Sequence, residues 1–223
     1  MFSIAIDGPA GAGKSTIAKT IAKKLNFIYV DTGAMYRAIA LYFLRKGVDG
    51  KDAETIAAMC PDIHVTLEYM DGEQQVLLNG ENVSGYIRNE EVGGMASKTS
   101  AQPAVRAALL QLQRDMAKSA DILMDGRDIG THVLPNADLK IFLTASVDVR
   151  AKRRYDEMVA KGDSCDLEEI REDIKLRDHQ DMTREIAPLR QAEDAILVDT
   201  SDMTIDEVVE TVIGHFHKIK GEA

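Results

Sequence analysis

The residues best suited to chemistry stand near the start of the chain, in "GPAGAGKST": Gly8, Pro9, Ala10, Gly11, Ala12, Gly13, Lys14, Ser15 and Thr16. They fit G-x-x-x-x-G-K-[ST] in full, behind a short apolar run (Phe2 to Ile6) and ahead of a helical pattern. The glycines let successive backbone N–H groups converge on one cluster of phosphate oxygens. The positive end of the following helix adds to that field. Lys14 supplies a point charge for β- and γ-phosphates, and Ser15 supplies a hydroxyl for a magnesium shell. A nucleoside triphosphate is the expected occupant. The loop fixes the phosphate donor without fixing the job, since switches, motors and small-molecule kinases share it.

Three further clusters bear on what receives the phosphate. "DTGAMYR" supplies Asp31, Thr32 and Arg37; "DGRDIG" supplies Asp125, Arg127 and Asp128; "RDHQDMTR" supplies Arg177, Asp181 and Arg184. The last three are spaced to share one helix face. A surface ladder of salt bridges would look the same. Taken together, Arg37, Arg127 and Arg184 come from separate segments, and guanidinium grips phosphate through paired hydrogen bonds. They suit a phosphorylated acceptor held in line with a γ-phosphate, and Asp181 suits sugar hydroxyls. Phosphoryl transfer needs positioning and charge stabilisation above all, so Lys14, Arg127 and Arg184 are the catalytic candidates. Asp125 reads either as an outer-shell carboxylate for magnesium or as a loop cap.

The elements that must position these groups alternate. Apolar runs at Phe2 to Asp7, Phe27 to Val30, Asp121 to Asp125, Leu139 to Leu143 and Ala195 to Val198 read as buried strands. Helical periods follow at Ser15 to Lys24, Gly33 to Lys46 and Ile205 to Ile219. The pattern predicts an α/β fold: a central parallel sheet flanked by helices, with ligands at the carboxyl ends of the strands. Residues 49–94 break the rhythm. There Ile63 to Tyr69 and Gln75 to Leu78 alternate and are joined by "MDGE", which predicts a small antiparallel insertion. "KGDSCD" lies between two helical stretches and reads as a surface excursion suited to a lid.

Composition narrows the classes. A formal net charge of −10 disfavours sequence-independent nucleic-acid binding, which depends on phosphate neutralisation. No apolar run is long enough for a membrane span, and the start does not read as a signal peptide, so a cytoplasmic protein is expected. Cys60 and Cys165 lie far apart without ligand spacing and read as free thiols. His215 and His217 fit the last amphipathic helix better than a metal site. An N-K-x-D guanine-reading segment is absent, which argues against a switch GTPase.

In order along the chain, "GPAGAGKST", "DTGAMYR", "ASKTSAQPAVR", "DGRDIGT", "RDHQDMTR" and "APL" resemble the bacterial cytidylate kinases, over essentially the whole length. The resemblance implies a P-loop NTPase fold with an inserted monophosphate-binding region at about 49–94 and a short lid at about 151–167. The core would then comprise about 1–48, 95–150 and 168–223 of a single kinase unit. It implies transfer of the γ-phosphate of ATP to CMP or dCMP, with Mg2+. No feature of the sequence announces an interface, so a monomer is the default expectation, and composition leaves no nucleic-acid or membrane partner expected. Arg37, Arg127 and Arg184 would grip the acceptor phosphate, beside Thr32. Arg177 and Asp181 would face the ribose. Ser97, Arg106 and Asp128 would contact the cytosine, and Arg150, Arg153 and Arg154 would belong to a lid over ATP. Cytosine offers an N4 amino donor to Asp128 and Ser97, and N3 and O2 acceptors to Arg106. Uracil would mispair there at about 1–3 kcal/mol per group, making UMP poorer by about two orders of magnitude. One departure is His132 in "GTHVLPNA", where the family tends to carry an apolar residue. It reads either as a tuning group or as an exposed loop histidine. The competing expectations are a kinase of another acceptor, such as UMP, and an ATP-driven switch with no acceptor.

Overall fold

A computed structural model describes residues 1–70 and 72–221, which form two compact units. The first unit comprises Met1–Tyr29 and the described residues from Ala120 onward. Its strands are β1 (Ser3–Asp7), β2 (Ile28–Asp31, entering through Ile28 and Tyr29), β6 (Ile122–Gly126), β7 (Leu139–Thr144) and β8 (Ile196–Asp199). They form one sheet in the order β2-β6-β1-β7-β8, and β1 pairs in parallel with both β6 and β7. The five strands lie where the apolar runs placed them. The ladder sets Asp7 opposite Gly126. The glycine loop after β1 and the "GRDIG" turn after β6 therefore leave the sheet side by side.

The flanking helices are α1 (Lys14–Leu25), α6 (Val147–Lys161), α7 (Leu167–Thr183) and α8 (Ile205–Lys220). Alternate strand residues Ile4, Ile6, Leu139, Ile141 and Leu143 pack against Ile17 and Ile21 of α1 and Val208, Val212 and Phe216 of α8. Each such side chain contributes about 1.5–3 kcal/mol by leaving water. That burial presses the N-terminus of α1 to the edge of the sheet where the loop ends. Thr204 and Glu207 form a reciprocal capping box at the start of α8. Helix α6 continues to Lys161 and stops at Gly162 in the left-handed region, so the surface excursion reduces to the connection from Gly162 to Asp166.

The second unit, Val30–Ser119, reaches beyond residues 49–94 on both sides. It holds α2 (Thr32–Arg45), α3 (Ala53–Met59), a 3-10 turn at Cys60–Asp62, α4 (Glu90–Thr99) and α5 (Pro103–Ser119). Its sheet is antiparallel, β3 (Val65–Met70), β4 (Glu73–Leu78) and β5 (Glu81–Asn82), with Val65 opposite Leu78 and Met70 opposite Glu73. The "MDGE" turn includes Asp71, which lies outside the described residues. Met35, Ile39 and Phe43 of α2 are fully buried, and α2 packs against α4 and α5 within this unit. Asp31 caps α2 by accepting from Ala34 N–H at 2.9 Å.

Candidate active site

The glycine loop is held in a shape that only glycine permits at its first position. Gly8 has φ 151°, and a Cβ there would lie 1.9 Å from the carbonyl oxygen of Leu143. Gly13 has φ 84° and caps α1, so the helix begins at Lys14. Lys14 is buried, and its Nζ donates to the Pro9 carbonyl at 2.8 Å, folding the side chain back over the loop. Burial and then the nearby Arg127 lower its pKa from 10.5 to about 7, while Asp125, Asp7 and Asp181 oppose that shift. A buried cation ringed by a loop of N–H groups is matched to a polyanion, whose arrival restores the charge.

Ser15 and Asp125 meet beside the loop. Ser15 Oγ donates to Asp125 Oδ2 at 3.0 Å, and Tyr29 Oη donates to Asp125 Oδ1 at 3.0 Å. Asp125 is buried at the end of β6. A hydroxyl beside a carboxylate is a hard oxygen pair, and magnesium bound with phosphates takes only one or two protein groups. The described residues contain no cluster of three or more His, Cys, Asp or Glu that could hold a metal ion.

Beside this loop the first unit assembles two arginine–aspartate pairs. Arg127 Nε donates to Asp181 Oδ2 at 2.9 Å. Arg184 Nη2 donates to Asp128 Oδ1 at 3.2 Å, with both side chains less than 8% exposed. Arg184 Nε also donates to the Ala187 carbonyl at 2.7 Å, and Leu189 N–H donates to the Asp181 carbonyl at 2.8 Å. "APL" is thus the brace that holds the end of "RDHQDMTR". One expectation changes here. Helix α7 ends at Thr183, and Arg184 is extended (φ −60°, ψ 142°), so it leaves the helical face that carries Arg177 and Asp181. The turn in direction is what lets Arg184 reach Asp128. Arg177 is half-buried on α7.

Of the three arginines on α6, Arg150 is almost wholly buried and internally engaged. Its guanidinium makes two bonds to Asp178 (3.0 and 2.6 Å), and also donates to Ala10 and Ala145 carbonyls at 3.0 and 2.9 Å. Arg153 donates to Thr200, and Arg154 lies at the surface 3.7 Å from Glu157. Arg150 is therefore a tie from the glycine loop to α7.

The second unit carries the remaining candidates. Thr32 is buried in the first turn of α2, Arg37 is half-buried further along that helix, and Ser97 is half-buried on α4. Arg106 of α5 is buried, donates to the Ser100 carbonyl at 3.3 Å and stacks over the Tyr36 ring at 5.7 Å. His132 is half-buried in a wide turn, Ile129–Val133, directly after Asp128.

Sequence reasoning missed three residues. Asp178 holds Arg150, Tyr29 orients Asp125, and Asp7 accepts from the N–H groups of Ile129 and Gly130, each at 2.7 Å. Burial raises the Asp7 pKa to about 6 against the lowering effect of those two bonds. The available signal for Asp7 was a carboxylate ending an apolar strand, a position that demands buried partners.

A family model described as Cytidylate kinase matches residues 4–218. A protein from Exiguobacterium sp. named Cytidylate kinase is 50% identical over 98% of this chain and 98% of its own. One of the same name from Caldicellulosiruptor saccharolyticus is 50% identical over 99% of this chain and 97% of its own. Among solved structures, an uncharacterized protein from Eubacterium ventriosum superposes with TM-score 0.55 at 12% identity, covering 96% of this chain and 98% of that one. A gluconokinase from Sinorhizobium meliloti gives 0.50, also at 12% identity, covering 99% and 94%. At such identity the structural likeness speaks to the fold alone, an α/β core with a parallel sheet flanked by helices.

Proposed function

The chain belongs to the cytidylate kinase family, and from that premise we propose that it transfers the γ-phosphate of ATP to CMP, and to dCMP, giving ADP and the corresponding diphosphate. The observation that carries this reading beyond the glycine loop is the pair of arginine–aspartate bridges beside it, one buried (Arg184–Asp128) and one half-buried (Arg127–Asp181). A nucleotide switch has no use for Arg127 and Arg184 held at the strand end that faces the donor phosphates. In the absence of an acceptor, Asp181 and Asp128 neutralise those guanidiniums. An acceptor phosphate offers the stronger bidentate partner and frees the carboxylates for sugar and base.

The steps follow from these groups. Backbone N–H groups from Gly8 to Ser15 cradle the donor phosphates, and Lys14 Nζ leaves the Pro9 carbonyl for the β- and γ-oxygens. Ser15 and Asp125 would hold the Mg2+ that accompanies ATP, which would neutralise charge on the donor phosphates. Arg127 and Arg184 hold the acceptor phosphate and stabilise charge on the transferring group. Thr32, Arg37 and Arg177 are assigned to the acceptor nucleotide, and Ser97, Arg106 and Asp128 to cytosine. Arg153 and Arg154 are assigned to ATP with Arg150. The support for these assignments is each residue's match to the family's motifs together with its chemistry.

The test is product identification by 31P NMR after mixing the protein with Mg–ATP and CMP. CDP and ADP should form one for one. ADP without CDP would overturn the reading.

A further inference from the structure

Asp7 has no part in the scheme above, yet it sits between the scheme's two halves. Gly8, its chain neighbour, begins the donor loop. Its carboxylate meets the turn that follows Arg127 and Asp128. That turn, Ile129–Val133, is a single wide turn closed by Val133 N–H to the Asp128 carbonyl (3.1 Å) and Leu134 N–H to the Ile129 carbonyl (2.7 Å). A single turn leaves its first N–H groups without partners of its own. Ile129 and Gly130 are both buried, so water cannot serve them. Asp7 Oδ1 accepts from Ile129 and Asp7 Oδ2 from Gly130, one oxygen for each. The contact is close-packed: a Cβ at Gly130 would stand 3.4 Å from Asp7 Oδ2 and 3.2 Å from Lys140 Cδ.

We propose that Asp7 is a positioning residue for phosphoryl transfer, its carboxylate clamping the Ile129–Gly130 backbone so that Arg127 and Asp128 keep a fixed distance from the donor loop. This deepens the kinase reading and rests on it. The backbone of Asp7 is already fixed by its ladder to Gly126, and the next residue is pressed against Leu143. The acceptor-side turn thus hangs from a rigid point on the donor side. Reactants must be aligned to a fraction of an ångström, and a misplacement of about 1 Å costs about a hundredfold. The cost of the device is a buried carboxylate.

Asp7→Asn keeps the shape but turns one accepting oxygen into a donor that faces an N–H. Asp7→Ala removes both acceptors. For both variants, kcat/KM for CMP should fall by about ten- to a hundredfold. The affinity for a non-hydrolysable ATP analogue should change less than the CMP kinetics do, because Asp7 makes no hydrogen bond to the donor loop and reaches Lys14 only through its charge. In the unaltered protein, NMR hydrogen exchange should find the Ile129 and Gly130 amides strongly protected. Unchanged CMP kinetics in a folded variant would overturn the proposal. So would parallel losses in ATP affinity and CMP kinetics that merely track a lower Tm. Rapid exchange of both amides would overturn it even if neither variant folds. Turnover of the unaltered protein on CMP, measured alongside, tests the kinase reading separately: if it is absent, that reading fails while the amides still report on the clamp.

Discussion

Burial of the Lys14 ammonium has a measurable consequence. Its pKa falls from 10.5 to about 7 in the folded chain. Below pH 7 the folded state carries the full penalty, at most about 5 kcal/mol by linkage. Between pH 7 and 10.5 the folded state releases its proton before the unfolded one does, so stability rises with pH. Lys14→Met keeps the apolar stem and removes the charge. It also loses the bond to Pro9, about 1 kcal/mol, leaving a net gain of at most about 4 kcal/mol. For a chain of this size that is a Tm rise of at most about 8–16 °C. Calorimetry from pH 5.5 to 9.5 should show the variant melting higher at pH 6, with the gap closing as pH rises. Turnover should fall at least about a hundredfold. A Tm at or below the parent's at pH 6 would refute the reasoning, and so would a gap that is independent of pH.

Gly8→Ala should lose several kcal/mol of stability and all ATP binding, because the added methyl would overlap the Leu143 carbonyl; a folded variant with ordinary ATP affinity would contradict this. Arg184→Ala should destabilise by about 3–5 kcal/mol by stranding buried Asp128, and should cut kcat/KM for CMP by at least about a hundredfold; denaturant melts and steady-state kinetics check both. Arg150→Ala should release the glycine loop at Ala10 and raise the KM for ATP at least about fivefold, with little change for CMP; an unchanged KM for ATP would show that the tie is purely structural.

The parallel core was legible because each strand is a short continuous apolar run and each is punctuated by glycine or aspartate. The donor loop was legible because its chemistry is local, with every group inside Gly8 to Thr16. The arginine–aspartate pairs were only partly legible. Helical spacing grouped Arg177, Asp181 and Arg184, but the brace from Ala187 ends the helix and swings Arg184 onto Asp128, and local spacing does not encode that contact. The second unit is broader than its antiparallel strands because the buried face of α2 packs within it, a choice made by tertiary burial. Asp7 and Tyr29 were silent since their partners lie about a hundred residues along the chain.

The central claim is the acceptor, and one assay tests it most directly: ADP formation from Mg–ATP with CMP, dCMP, UMP, AMP, GMP or no acceptor. Fast turnover confined to CMP and dCMP is the predicted result, with UMP lower by about two orders of magnitude. Equal turnover on UMP would keep the kinase and overturn the assignment of Ser97, Arg106 and Asp128 to cytosine. ATP binding with no turnover on any monophosphate would contradict the account.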